Sequence, residues 1–209
     1  MHVIDWRYGL IVNLQHHIFL GPWHKEYPNA KLLAPEGLRE KRDKQNNEHV
    51  PFSTIFAAKT KLNQKVDATF DAEFDYEFVD GHVNKELVFN HRPSGTLIEA
   101  DLIFNMPASE QYSRAGPDNR AETGWATKFW TYINNTKGDA YWQKMVIWFG
   151  TSGGNKKSFH ESMGRINQWK FDTIVPCHGD VIESGGKKVF QTVMQWHLEK
   201  AAEMAKKGK

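Results

Sequence analysis

The chain has 209 residues, 40% apolar and 13% aromatic, with 27 basic residues against 25 acidic ones and a formal charge of +2. That length suits one domain or two small ones, and so many aromatic residues exclude a disordered chain. The near-balance of charge gives no field for nucleic acid or a membrane surface, and no run of about 18 apolar residues exists to span a bilayer.

Residues 10–14, Leu-Ile-Val-Asn-Leu, read as a short buried strand with His16 and His17 at its end. The start of the chain lacks the basic region and cleavage site of a secretory signal. Residues 19–27, with Pro22 near the start, suit a short helix that Pro28 and Asn29 break. Residues 31–34 read as a second strand stopped by Pro35, residues 36–44 are rich in helix formers, residues 45–50 read as a loop, and residues 52–57 read as a strand. From 67 to 79 apolar and acidic side chains alternate: Phe70, Ala72, Phe74, Tyr76 and Phe78 against Asp71, Glu73, Asp75 and Glu77. A period of two predicts one long strand with a buried aromatic face and a solvated acidic face.

Residues 86–90 and 96–100 read as two strands joined by a turn over 91–95. Residues 108–122 are polar, contain Gly116-Pro117, and read as an irregular loop. Residues 125–132, 140–149 and 158–169 have helical spacing of apolar side chains, and the glycine-rich residues 150–154 separate the last two. Residues 172–176 read as a strand. Gly185-Gly186 precedes one long amphipathic helix, 189–204, with Phe190, Val193, Met194, His197 and Ala201 on one stripe. Lys206, Lys207 and Lys209 read as its solvated end. Cys177 is the only cysteine, which excludes an intramolecular disulfide and fits a reducing compartment, so a cytoplasmic protein is expected. The alternation of strands and helices predicts an α/β or α+β fold, with no domain boundary visible.

Four polar sites follow predicted strands, where α/β folds tend to place ligands. They are His16 with His17, His82 in Gly81-His82, Asp101, and His178 in Pro176-Cys177-His178-Gly179. Imidazole and carboxylate together are the ligand set expected for zinc and related divalent ions. Taken singly, each histidine reads as a hydrogen-bonded surface residue and Asp101 as a cap. Cys177 reads as a small buried residue, with a thiol ligand or nucleophile as the alternative. The run Gly150 to Ser158 is similar to a phosphate-binding loop but has Asn155 where the second glycine belongs, so it reads as an ordinary loop. Ser94 has no GxSxG frame and reads as a turn residue.

The collective pattern resembles the metallo-β-lactamase superfamily. Its members carry an HxHxDH motif after a strand, then a lone histidine in a Gly-His turn, an aspartate at a strand end, and a histidine in a late loop. Gly81-His82, Asp101 19 residues later, and Pro176-Cys177-His178-Gly179 fit this order. His16-His17-Ile18-Phe19-Leu20 and the late motif look most like a divergent branch of uncharacterised fungal and plant proteins. The resemblance implies an αββα sandwich and a metal-dependent hydrolase acting on an ester, lactone, thioester or amide. Asp101 or His82 would orient the attacking water, which makes Asp101 the expected catalytic residue.

Two departures qualify the resemblance. Aligning His17 with the last histidine of the motif puts His16 at its aspartate, Leu14 at its second histidine and Val12 at its first. The first metal position therefore lacks two ligands. The second keeps His17, Asp101 and His178, with His16 as a substitute and His82 as a fourth ligand or outer partner. One divalent ion at most, zinc by preference, is expected. The family fold also begins with several strands before this motif, whereas only about fifteen residues precede it here. The chain therefore reads as a single domain, 1–209, incomplete at its N-terminus. Its second sheet would draw only on residues 10–14, 31–34 and 172–176, leaving the aromatic face of 67–79 half exposed. That predicts low stability or self-association through a sheet edge. Depleted ligands also support a second reading, a non-catalytic pseudoenzyme or interaction module that keeps the fold.

Overall fold

The computed structural model describes residues 7–110, 113–114 and 124–207, so most of the expected loop over 108–122 lies outside the described residues. Strands β1 (Tyr8–Leu10), β2 (Lys31–Pro35) and β3 (Thr54–Phe56) form one parallel sheet. Strands β4 (Phe74–Val79), β5 (Glu86–His91), β6 (Thr96–Ile98) and β7 (Thr173–Val175) form a second. Neighbours β4, β5 and β6 run antiparallel, and β7 lies parallel to β6.

Side-chain alternation sorts the core into layers. In β2, Leu33 packs with Phe56, Phe70, Phe78, Leu87 and Phe89 between the two sheets. Its neighbours Leu32 and Ala34 face the other way, against Leu20 of α1 (Leu20–Glu26) and Leu38 of α2 (Leu38–Lys44). In β5, Leu87 and Phe89 point to the middle, while Val88 points outward with Val79, Leu97 and Ile174. That outer face is covered by Phe159, Met163 and Ile166 of α6 (Lys156–Ile166) and by Phe190 and Val193 of α7 (Gly186–Val193). The order is helices, sheet, sheet, helices, as expected. At about 1.5–3 kcal/mol for each fully buried large apolar side chain, the Phe56, Phe70, Phe78 and Phe89 cluster is the main bond between the sheets.

The expected long strand over 67–79 is two elements. Asp67 Oδ1 accepts hydrogen bonds from the amides of Thr69 and Phe70, both at 3.0 Å, and so caps helix α3 (Ala68–Glu73). Phe70 and Phe74, four residues apart, stack at 4.5 Å. An i, i+4 pair also satisfies a period of two, which is why the pattern read as strand. The acidic face is not simply solvated either. Glu77 is buried beneath α6, with Arg165 Nη2 and Nε at 2.6 and 2.9 Å from its two oxygens.

The sheet that faces the antiparallel strands is drawn from β1, β2 and β3, not from residues 172–176, which extend the antiparallel sheet itself. Of the expected aromatic face, Phe70 and Phe78 are each only 1% exposed, whereas Phe74 and Tyr76 are half-buried. The strand expected over 10–14 lies earlier, at Tyr8–Leu10. Asn13 Oδ1 accepts from the amides of Gln15 and His16 at 2.8 and 3.0 Å, and this side-chain turn ends the extended segment. The single helix expected over 189–204 is also two, α7 and α8 (Gln195–Lys207), parted at Met194. No helix among the described residues is long and apolar enough to cross a membrane.

Where α6 meets α8, His160 Nδ1 and His197 Nδ1 lie 2.9 Å apart between Trp148 and Phe159. Burial pushes His197 down to about 3, and lowers His160 too. The unfolded chain takes up a proton near pH 6.5 that the native state refuses. Stability is therefore complete above that pH and is lost as pH falls toward 3, by about 1.4 kcal/mol per pH unit from His197. We expect urea unfolding at pH 7.5 and 5.0 to show a drop about 2 kcal/mol larger in the native chain than in His197→Gln. Equal drops would mean that this pair does not govern acid sensitivity.

Candidate metal centre

The site sits at the carboxyl ends of strands. His16 lies in the turn after β1, His82 after β4, Asp101 after β6, and Cys177 and His178 after β7. His16 Nε2 and His178 Nε2 lie 3.1 and 3.2 Å from the same oxygen, Asp101 Oδ1. The two imidazole rings are 5.1 Å apart. Cys177 Sγ is 3.8 Å from His16 Nδ1, and the donor atoms of His16, Cys177 and His178 all lie within 4.8 Å of one another. Cys177 is exposed rather than buried as its residue type suggested.

Asp101 is anchored from behind. Its Oδ2 accepts from Asn13 Nδ2 at 2.6 Å and Asn84 Nδ2 at 2.9 Å. Glu86 accepts from the amides of Ala100 and Asp101 at 2.9 and 2.8 Å, and Glu99 from those of Leu102 and Ile103. These two buried carboxyls fix the turn that presents Asp101. Burial raises Glu86 to about 8 and Glu99 well above the usual range. Burial also works against ionised Asp101, but hydrogen bonds from His16, His178 and Asn84 outweigh it and hold the carboxyl well below its ordinary value. The bond to Asp101, helped by Cys177, raises His16 to about 10.

The other two candidate histidines are held differently. His82 is 1% exposed, and burial lowers it to about 4, so it is neutral. Its Nδ1 accepts from the amide of Asn84 at 3.0 Å, which leaves the hydrogen on Nε2 to point at the Asp101 carbonyl oxygen, 3.3 Å away. Both ring nitrogens are thus engaged in supporting the Asp101 turn. His17 is also buried, with Arg42 Nη1 donating to its carbonyl at 2.8 Å and lying 3.4 Å from its Nδ1. It stands outside the group formed by His16, Cys177 and His178. Asn13, Asn84 and Glu86 were not singled out by sequence. The two available signals were a polar residue inside an apolar run, as at Asn13, and a charge opening an apolar strand, as at Glu86.

Glycine flanks both loops. Gly81 packs against the start of α6, and a Cβ there would collide with the Asn155 carbonyl oxygen. Gly179 has φ 104, and a Cβ would run into the Asn105 carbonyl oxygen. The His178 loop therefore needs glycine on both conformational and steric grounds. We expect Gly179→Ala to destabilise the fold by at least about 1–3 kcal/mol in urea unfolding. An unchanged midpoint would show that the loop has another low-energy path.

Two imidazoles, a thiol and a carboxylate are the donor chemistry of zinc. Ligands about 2.0–2.3 Å from zinc stand roughly 3.3–3.8 Å apart at a tetrahedral site, so donor atoms already within 4.8 Å need only small rotations to close on one ion. The residues present fit a single divalent ion.

No protein-family model and no curated protein matches the sequence. Among solved structures, VMB-1 at pH 5.5 matches 93% of this chain and 68% of its own, at 12% identity and a TM-score of 0.51. The metallo-β-lactamase from Pontibacter korlensis matches over 91% and 68%, at 10% identity and a TM-score of 0.49. A flavoprotein from Thermotoga maritima matches over 85% and 38%, at 10% identity and a TM-score of 0.49. Identities this low speak to architecture alone. With its two facing sheets and outer helices, the chain has an αββα sandwich fold like that of VMB-1.

Proposed function

We propose that this is a metal-dependent hydrolase-like protein that holds one divalent ion, zinc by donor chemistry, on His16, Cys177 and His178 with Asp101. The observation that carries the reading is the convergence of three donor atoms beside one anchored carboxylate. When bound, a divalent ion supplies Lewis acidity and a nucleophile at neutral pH, which suits an ester, lactone, thioester or amide carbonyl. Asp101 orients both imidazoles through one oxygen, while Asn13 and Asn84 hold the other and prevent the carboxylate from turning. Phe104 stacks on His178 at 5.2 Å and shields that face of the ring from water. A second ion is not supported, because His82 has both nitrogens engaged and Val12 and Leu14 bear no donor.

The non-catalytic reading has one observation in its favour. Asp101 Oδ1 already engages one ring nitrogen of each histidine, so the cluster is a hydrogen-bonded unit without an ion. Elemental analysis of chain purified without chelator separates the two. We expect about one zinc per chain, falling below about a tenth of that in His178→Ala, as loss of a ligand dictates. A metal-free chain that also fails to take up zinc in titration would leave only the non-catalytic reading.

A further inference from the structure

A cavity of about 840 Å3 lies between α4 (Trp125–Ile133) and α5 (Tyr141–Phe149), on the far side of the segment that backs His178. We propose that it binds an apolar anion, an aromatic or aliphatic body carrying one acidic group, at a site separate from the metal centre. This site does not rest on the hydrolase reading.

The link between cavity and centre is one stretch of chain. The Phe104 ring lies on His178 and meets Trp130 of α4 edge-on at 5.9 Å. The Asn105 amide donates to the His178 carbonyl at 3.1 Å. The next residues, Met106, Pro107 and Ala108, line the cavity. A ligand in the cavity and a reacting group beside His178 would therefore sit on two faces of the same short segment.

The lining states the ligand's chemistry. Tyr132, Tyr141 and Trp142 stand around the cavity and are 59%, 47% and 47% exposed, a large apolar area left in water. Trp142 Nε1 donates to the Tyr132 hydroxyl at 3.1 Å, which ties α4 to α5 across it. Lys128 and Lys137 also line the cavity, and no ion pair among the described residues holds either. The one carboxylate there, Asp139, accepts from the amide of Tyr141 at 3.2 Å at the start of α5. Gln143 in the wall is 1% exposed; its Nε2 donates to the Phe104 carbonyl at 2.6 Å, and its Oε1 has no partner. The two lysines and the aromatic faces together favour an acid with an apolar body over a cationic ligand, while the unpartnered Gln143 Oε1 can serve only a hydrogen-bond donor on that body.

The test uses the whole chain after chelator treatment, so that no carboxylate can be held by metal. 2-Naphthoate and the neutral 2-naphthylmethanol are titrated against tryptophan fluorescence. We expect naphthoate to saturate at one per chain and to bind roughly tenfold tighter than the alcohol, the scale of a charge-assisted contact. Lys128→Gln with Lys137→Gln should remove that preference while leaving the alcohol within about twofold. Thr131→Trp, which fills the cavity, should abolish binding of both probes. Equal affinity for acid and alcohol in the native chain, no saturable binding, or unchanged binding in the filled variant would each overturn the proposal. If Thr131→Trp does not fold, the lysine variant, changed only at exposed positions, still decides it. A cavity that fails this test leaves the zinc measurement untouched, and a zinc-free chain leaves this one untouched.

Discussion

Asp101→Asn is expected to weaken zinc binding by at least about 100-fold, because even partners outside the ligand set are worth about 10–100-fold. The substitution keeps the shape of the side chain and its place between Asn13 and Asn84. It removes the charge that both His16 and His178 face at 3.1 and 3.2 Å. Asn84→Ala takes away only one donor to the far oxygen, and its effect should stay near tenfold, at the lower end for an outer partner. Competition against a chromophoric chelator reads both. If Asp101→Asn binds zinc as the native chain does, Asp101 is not part of the centre, and His16, Cys177 and His178 hold the ion without it.

The largest loss of stability is expected at Arg165→Met. Glu77 is 6% exposed, and Arg165 grips it from two sides with Ser162 Oγ at 2.7 Å. Stranding a buried charge costs about 3–5 kcal/mol. Lys61 Nζ, 3.7 Å away, keeps part of the compensation. The expected cost is thus about 3 kcal/mol, or roughly 6–12 °C in Tm for a chain of this size. Pairing the change with Glu77→Leu should recover most of it, since an apolar pair of similar volume leaves no charge to solvate. A single variant that melts within about 2 °C of the native chain would mean that water or Lys61 reaches Glu77 once Arg165 is gone.

The two substitutions mark what local sequence carries and what it does not. Periodicity located β2, β5, β7, α1, α5 and α6 to within a few residues, because each buries one face against a neighbour. It failed at 67–79, where Asp67 caps a helix that the alternation conceals, since an i, i+4 aromatic pair obeys both periods. It also assigned Thr173–Val175 to the wrong sheet, because pairing partners are a long-range property. At the site, strand ends pointed to His16, Asp101 and His178, which the fold brings to one oxygen. The expected role of His82 depends on a free ring nitrogen, and the Asn84 amide and the Asp101 carbonyl engage both; that of His17 depends on its joining the other donors, and it stands apart from them beside Arg42. Cys177 was visible, yet only the loop geometry turns it outward beside His16.

Helix α4 buries none of its nine side chains. The response of an opening reaction to denaturant scales with the surface it newly exposes, so lifting α4 away from α5 is nearly blind to denaturant, whereas lifting α6, with Phe159, Met163 and Ile166 underneath, has a steep dependence. Amide exchange would thus divide the molecule into two regimes, α4 exchanging through local openings and α6 only with the whole core. If exchange divides so, one wall of the aromatic cavity opens separately from global unfolding, and substitutions that stiffen the sheets would leave the entry of a ligand unchanged.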